Sequence, residues 1–221
     1  MQINIIKPVV SIIIAVYNRE RTFFRALESV LSQSFQNFEV IIVDDGSYDN
    51  LQNILFKYSK YDYRIKYIYH TNRETAISLN TGIKIADGKF ITFLDSDDEY
   101  TKEHLAKRIK YFQRNKNLDL IHSPATIIGN DEDMYVPDAR NKKKLIHLRN
   151  CIIGATIFGK KEVFHCLKGF RDKYSYDSDF IKRASRSFMV EAFNIKTYIY
   201  YRNTKDSILT KLKKSIDFEN R

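Results

Sequence analysis

Apolar and polar positions come in alternating blocks through the first half of the chain. Four apolar runs, Val9–Val16, Phe38–Val43, Ile65–Tyr69 and Phe90–Leu94, have the length and β-branched content of buried strands. Between them the apolar spacing changes to that of helices. Phe23, Leu27, Val30 and Leu31 recur at i, i+4, i+7, i+8, and Leu51, Ile54, Leu55 and Tyr58 at i, i+3, i+4, i+7. Strands apolar on both faces and separated by helices predict an α/β fold: a mostly parallel, Rossmann-like sheet covered on each side. Right-handed crossovers then bring the C-terminal strand ends to one edge, where open α/β sheets bind ligands.

Beyond Leu94 the rhythm is less regular. Leu105, Ile109 and Phe112 predict one face of a helix. "LDLIHSPATIIG" (118–129), "NCIIGATIFG" (150–159) and "TYIYYR" (197–202) read as strands. Asn130 to Arg149 is polar and reads as a long surface excursion. No repeat or flexible linker divides the chain, so one domain is expected over residues 1–221, its second half less regular and building part of a site.

Composition narrows the class. Of 221 residues, 43% are hydrophobic and 29% charged, which fits a globular protein rather than a disordered one. The longest apolar runs are about half the length of a membrane span. No signal-peptide pattern is present, so a cytoplasmic location is expected. Cys151 and Cys166 match no zinc or redox spacing and read as free thiols. The formal net charge is +10, with basic runs at Arg140–Arg149 and Lys211–Lys214. These are either solvated faces or contacts for an anionic partner, such as the surface of a membrane touched peripherally. Nucleic acid is not expected, because no helix-turn-helix, zinc-finger or aromatic RNA-binding motif accompanies the charge.

Against that basic background, acids gather at strand ends. The fourth strand ends in "LDSDDE", where Asp95, Asp97, Asp98 and Glu99 occupy four of five positions. A helix-capping cluster is the plain reading. An EF-hand is excluded, because its turn glycine falls on Tyr100 and its twelfth-position glutamate on Ala106. A divalent ion held by one or two carboxylates, with phosphate and water completing its shell, would offset the repulsion, as Mg²⁺ or Mn²⁺ does. The second strand ends in "VDDGS". Its glycine and Ser47 or Asp49 suit a turn and a helix cap, but that leaves two consecutive aspartates unexplained.

Together "SIIIAVYN", "VDDGS" and "FITFLDSDD", in this order and spacing, resemble the inverting nucleotide-sugar transferases of glycosyltransferase family 2, which have the GT-A fold. The resemblance covers residues 9 to about 115 and extends to about 207. It implies a nucleoside-diphosphate-sugar donor, UDP first among them, and a saccharide or lipid-linked saccharide acceptor, as in bacterial surface polysaccharide or lipopolysaccharide synthesis. It places Ala15, Tyr17, Asn18 and Asp45 at the nucleotide, with Asp44 supporting. Asp97 falls at the metal position and Asp95 at ribose or metal, with Mn²⁺ or Mg²⁺ as cofactor. "YDSDFIKR" resembles the segment that carries the catalytic base, here Asp177. "YYRNTKDS" resembles a segment that puts Arg202 and Ser207 near the diphosphate.

The chain departs from the family pattern at four points. Glu74 stands where a glycine is usual, and Leu79 where an arginine is usual, so that Arg73 or another base must substitute. Tyr176–Asp177 replaces an acidic pair, and "YYRNTKDS" has no histidine to add a metal ligand, as one does in some relatives. Two other readings remain open: a degenerate relative that binds nucleotide without turnover, and a nucleotidyltransferase. The latter would want a glycine-rich phosphate loop after the first strand, and "AVYNRERTFF" has no glycine.

Overall fold

The computed structural model describes residues 7–202, 204 and 210. Its first half runs β1 (Val10–Val16), α1 (Glu20–Leu31), β2 (Phe38–Asp44), α2 (Leu51–Tyr61), β3 (Ile65–Tyr69), α3 (Thr75–Ile85) and β4 (Phe90–Phe93). There follow β5 (Glu99–Tyr100), α4 (His104–Arg114), β6 (Leu120–His122), β7 (Thr126–Ile128), β8 (Tyr135–Pro137) and β9 (Leu145–His147). The last elements are β10 (Phe158–Lys160), α5 (Lys161–Cys166), α6 (Tyr176–Ala184), β11 (Val190–Ala192) and β12 (Tyr198–Tyr201).

The main sheet has seven strands in the order β11-β6-β10-β4-β1-β2-β3. Every neighbouring pair is parallel except those made by β10, which runs antiparallel to β4 and β6. β2 is buried along its whole length, and β1 everywhere but at half-buried Ala15, as expected for central strands covered on both faces. Helix α3 lies close on this sheet because Gly82 has no side chain; a Cβ there would sit 2.5 Å from Ile13 Cγ2. A second sheet, β5-β12-β7, stands beside the fourth strand's end, and β8 and β9 form a separate hairpin.

The four N-terminal strands match expectation to within a residue at each end. The second half differs more. "LDLIHSPATIIG" is two strands in two sheets, β6 and β7, parted at Ser123-Pro124, where proline cannot donate to a ladder. Most of "NCIIGATIFG" is not strand. Gly154–Thr156 forms a 3₁₀ turn in which Thr156 Oγ1 donates to the Ile153 carbonyl at 2.7 Å and accepts from the Ser123 amide at 3.1 Å. Side-chain bonds of this kind compete with a ladder, and only β10 remains extended. The excursion 130–149 contains the β8–β9 hairpin, with Tyr135 opposite His147.

Candidate active site

Adjacent strands β4, β1 and β2 end side by side, which brings the three sequence clusters together. The Asp45 amide donates to the Val16 carbonyl at 2.8 Å and the Leu94 amide to Ile13 at 3.1 Å, so the ladder extends into the loops. Tyr17 and Asn18 leave β1. Asn18 takes a left-handed conformation (φ 50°), which Asn tolerates better than most residues. Its amide donates to Ser47 Oγ at 2.9 Å and its Oδ1 accepts from the Tyr48 amide at 3.0 Å. The two loops are thereby stitched together, and the Tyr17 and Tyr48 rings meet edge to face at 6.3 Å, both open to solvent.

The two aspartates after β2 differ in placement. Asp44 is fully buried, with Oδ1 accepting from the Ser47 amide (2.8 Å) and Oδ2 from the Tyr67 hydroxyl (2.8 Å). Its carboxylate therefore holds the turn. Asp45 accepts from the Arg73 and Glu74 amides at 2.8 and 3.1 Å and lies 3.3 Å from His70 Nδ1. Gly46 between this pair and Ser47 has φ +86°, and a Cβ there would meet the Asn72 amide nitrogen at 2.9 Å. Of the two expected caps, Asp49 makes one bond to the helix start: its Oδ1 accepts from the Leu51 amide at 3.3 Å while its Oδ2 accepts from the Glu20 amide. Ser47 serves Asn18 instead, and the Asn50 side chain makes no cap bond.

The acid loop does not cap a helix either, since α4 begins only at His104. Buried Asp98 accepts from the Tyr198 hydroxyl (2.6 Å) and the Tyr201 amide (2.8 Å), which fixes the loop to β12. That frees Asp95 and Asp97. Burial, followed by the charges of Asp97 and Asp177, pushes the Asp95 carboxyl up to about 7. Burial also raises Asp97, and the positive charges of Arg19, Arg25 and Arg202 oppose it. Arg19 Nε lies 3.9 Å from Asp97 Oδ2, and Arg25 donates to the Asp97 carbonyl while its guanidinium stacks 3.7 Å from the Tyr201 ring centre.

Of the two alternatives, Arg73 or another base, the structure puts other bases beside Asp97. The Arg73 side chain is exposed and contributes its amide to Asp45, while Leu79 is a core residue. The bases beside Asp97 are Arg19, just before α1, and Arg25 in its middle. Arg202 is buried, and its Nε donates to the Asp133 carbonyl at 3.0 Å. Ser207 and Lys211–Lys214 lie outside the described residues.

Asp177, on α6, is near enough for its charge to act on Asp95. Phe93 of β4 meets Phe170 (5.1 Å), which meets Tyr176 (5.2 Å) and Phe180 (4.9 Å) of α6. Asn80 of α3 clamps Phe170 through two bonds of 2.8 Å, to its amide and its carbonyl. Within α6, Asp177 Oδ1 accepts from the Ser178 amide (2.6 Å) and the Ser175 hydroxyl (3.2 Å). Burial raises its carboxyl. Gly154 faces it, and a Cβ there would sit 3.0 Å from Asp177 Cβ. Asp179, two residues on, points to Arg183 (2.9 Å) and Lys173 (3.2 Å); burial raises its carboxyl, but those partners hold it below the ordinary range.

Among the described residues, no three His, Cys, Asp or Glu side chains are grouped to hold a metal by themselves. The donors that fit a hard divalent ion are Asp95 and Asp97. Both offer carboxyl oxygens, the donor type hard divalent ions prefer, and burial raises both carboxyls, with the Asp97 and Asp177 charges adding to the rise at Asp95.

The fold and this edge define a GT-A glycosyltransferase architecture, and comparison with known proteins agrees. The sequence pattern of Glycosyl transferase family 2 matches residues 11–167, and the chain belongs to that family. It is 30% identical over 232 residues to a glycosyltransferase of Rickettsia prowazekii (strain Madrid E), covering 98% of this chain and 72% of that one. It is 40% identical over 106 residues to the teichuronic acid biosynthesis glycosyltransferase TuaG of Bacillus subtilis (strain 168), covering 48% of this chain and 42% of TuaG. Some relatives are much longer; the matched region is 17% of one from Rickettsia felis. Among solved structures, residues 1–349 of S. aureus TarS in complex with UDP-GlcNAc superpose with a TM-score of 0.72 at 20% identity, covering 95% of this chain and 66% of that one. No helix among the described residues is long and apolar enough to cross a membrane.

Proposed function

We propose that the chain transfers a sugar, with inversion, from a nucleoside-diphosphate sugar to a saccharide or lipid-linked saccharide acceptor in surface polysaccharide synthesis. The observation that carries this is the meeting of two acid sets. Asp95 and Asp97 come from the end of β4 and Asp177 from α6, near enough for Asp177 to raise the Asp95 carboxyl. The donor half spans about residues 1–115. Its nucleotide lies along Ala15, Tyr17, Asn18 and Asp45, with Asp44 holding the turn. UDP is the nucleotide favoured, because TarS is seen with UDP-GlcNAc. TuaG, with its part in teichuronic acid biosynthesis, supports the class of acceptor.

Asp95 and Asp97 are the residues that would hold Mn²⁺ or Mg²⁺. A mannosyltransferase of Pyrobaculum calidifontis with this fold is seen with GDP-Man and Mn²⁺. The ion, when bound, supplies charge neutralisation at the donor's diphosphate. Arg19, Arg25 and Arg202 add fixed positive charge on the same side. Asp177 takes the acceptor hydroxyl's proton as that oxygen attacks the anomeric carbon, while the bond from that carbon to the diphosphate oxygen breaks on the opposite face and the nucleoside diphosphate leaves. Its raised carboxyl, half-engaged by Ser175 and Ser178, suits a base better than Asp179 does, since Asp179 is held by three cationic side chains. The test compares two variants in a transfer assay that measures release of nucleoside diphosphate. Asp177→Asn lowers turnover by roughly 10²–10⁴-fold with donor affinity little changed, as general-base loss does. Asp179→Asn keeps most of the turnover. Near-full transfer by Asp177→Asn refutes the assignment.

A further inference from the structure

A cavity of 260 Å³ opens between β7 with the residues just before it, the segment from His147 to Ile153, and Lys196. Its apolar lining comes from Ile127, Leu148 and Ile153, and its ionisable side chains are His147, Arg149, Lys196 and the Cys151 thiol. No carboxylate is among the lining residues. Arg149 and Lys196 are exposed, and among the described residues neither makes an ion pair. His147 Nδ1 accepts from the Arg149 amide at 3.0 Å, which leaves the ring's proton on Nε2 as a donor. One wall leads directly to the proposed base. Cys151 and Ile153 precede Gly154, which faces Asp177, and the Asp177 charge is felt at the Cys151 thiol. The β8–β9 hairpin brings charge of both signs, its Asp138 acting at the Cys151 thiol along with Asp177. Its turn carries Lys142, Lys143 and Lys144, and Lys142 sits 5.1 Å from the ring centre of Tyr174, a residue also within reach of the Asp177 charge.

A pocket with apolar walls, a cationic mouth and no acid matches one ligand chemistry: an anionic group on an apolar or weakly polar body. We propose that this cavity is the acceptor's phosphate subsite. It would hold a phosphate ester of the acceptor at Arg149 and Lys196 while the acceptor's hydroxyl is presented to Asp177. The inference rests on the reading of Asp177 as the base. It assigns a role to the basic run 140–149, which donor chemistry leaves unused. The phosphate could belong to a lipid carrier or to a phosphate-containing glycan, and the chemistry of the cavity is the same for both.

The test is calorimetric titration of the full chain with octyl phosphate below its micelle concentration, with octyl glucoside as the neutral match and with glycerol 3-phosphate. Octyl phosphate should bind and octyl glucoside should not. The double variant Arg149→Ala/Lys196→Ala should weaken octyl phosphate about fivefold or more, the combined effect of two exposed ion pairs. The charge-matched double variant Lys57→Ala/Lys60→Ala on α2 should not, and UDP affinity should be unchanged in both. Equal binding of glycerol 3-phosphate supports a phosphate-containing glycan as the source, and binding of octyl phosphate alone supports a lipid carrier. Octyl glucoside binding as tightly as octyl phosphate, or equal weakening by both double variants, overturns the proposal. Failure of UDP to bind the wild-type chain, with octyl phosphate binding intact, counts against the transferase reading and leaves the cavity's ligand class standing.

Discussion

The Tyr198 hydroxyl donates to Asp98 Oδ2 at 2.6 Å and accepts from the Asp95 amide at 3.3 Å. One buried phenol on β12 thus ties down both ends of the acid loop after β4, from a hundred positions beyond Asp98. Tyr198→Phe removes the hydroxyl and leaves Asp98 with the Tyr201 amide alone. A buried acceptor losing its donor costs about 1–3 kcal/mol. The variant should therefore show a lower thermal midpoint and a weaker UDP affinity together, since the loop that carries Asp95 and Asp97 loses its anchor. Unchanged UDP affinity in a destabilised variant would separate the anchor from the site.

Gly154 gives a sharper probe of α6. A methyl group there would sit 3.0 Å from Asp177 Cβ and 3.5 Å from its Oδ2, close enough to displace the carboxylate by a few tenths of an ångström. The structure predicts that Gly154→Ala lowers the transfer rate by tenfold or more, on the order of what small misplacements of a base cost, with UDP affinity unaffected. A rate equal to wild type, measured with saturating donor, would mean that Asp177 does not act from this position.

The small sheet carries a pH signature of its own. His104 is fully buried, stacked 3.5 Å from the Tyr100 ring centre, with Nδ1 donating to the Thr197 carbonyl at 3.0 Å. Burial, and then the neighbouring Arg108 charge, hold its pKa well below the usual histidine value. In the unfolded chain it takes up a proton near pH 6.5. The unfolded state therefore binds more protons as pH falls below that value, and stability drops with it. His104 contributes its full stability above about pH 6.5 and loses it as the pH falls toward its depressed native pKa. Thermal midpoints should decline between pH 7 and pH 5, and His104→Gln should flatten that slope whatever its absolute stability. An identical slope in the variant would assign the acid sensitivity to other groups.

The parts legible in the sequence are those whose signal is local. Four apolar runs with helices between them already imply a parallel sheet whose strand ends share one edge, and hence Asn18, Asp45 and Asp97 along it; the order β4-β1-β2 came with the structure. The cation beside Asp97 was not legible. The motif directs attention to Leu79 and to Arg73, whereas the charge comes from Arg19 and Arg25, just before and within a helix that reads only as amphipathic. Tyr198 was equally hidden, because "TYIYYR" reads as apolar strand and nothing local marks one of its phenols as the partner of an acid a hundred residues earlier. The same limit affects "NCIIGATIFG". Its composition is that of a strand, but Thr156 bonds locally and Gly154 leaves the room that Asp177 uses.

The reading of Asp95 and Asp97 as the donor's metal site is open to one direct measurement: the affinity for UDP, by calorimetry, in Mn²⁺ and in chelator, for the wild-type chain and for Asp97→Asn. Two half-buried acids with raised carboxyls bind a diphosphate poorly unless a cation lies between them. The account predicts that chelation weakens UDP about tenfold or more in the wild-type chain, on the order of 1.4 kcal/mol. Asp97→Asn should bind as weakly as the chelated wild type and respond little to Mn²⁺. Equal UDP affinity with and without Mn²⁺ in the wild-type chain would contradict it.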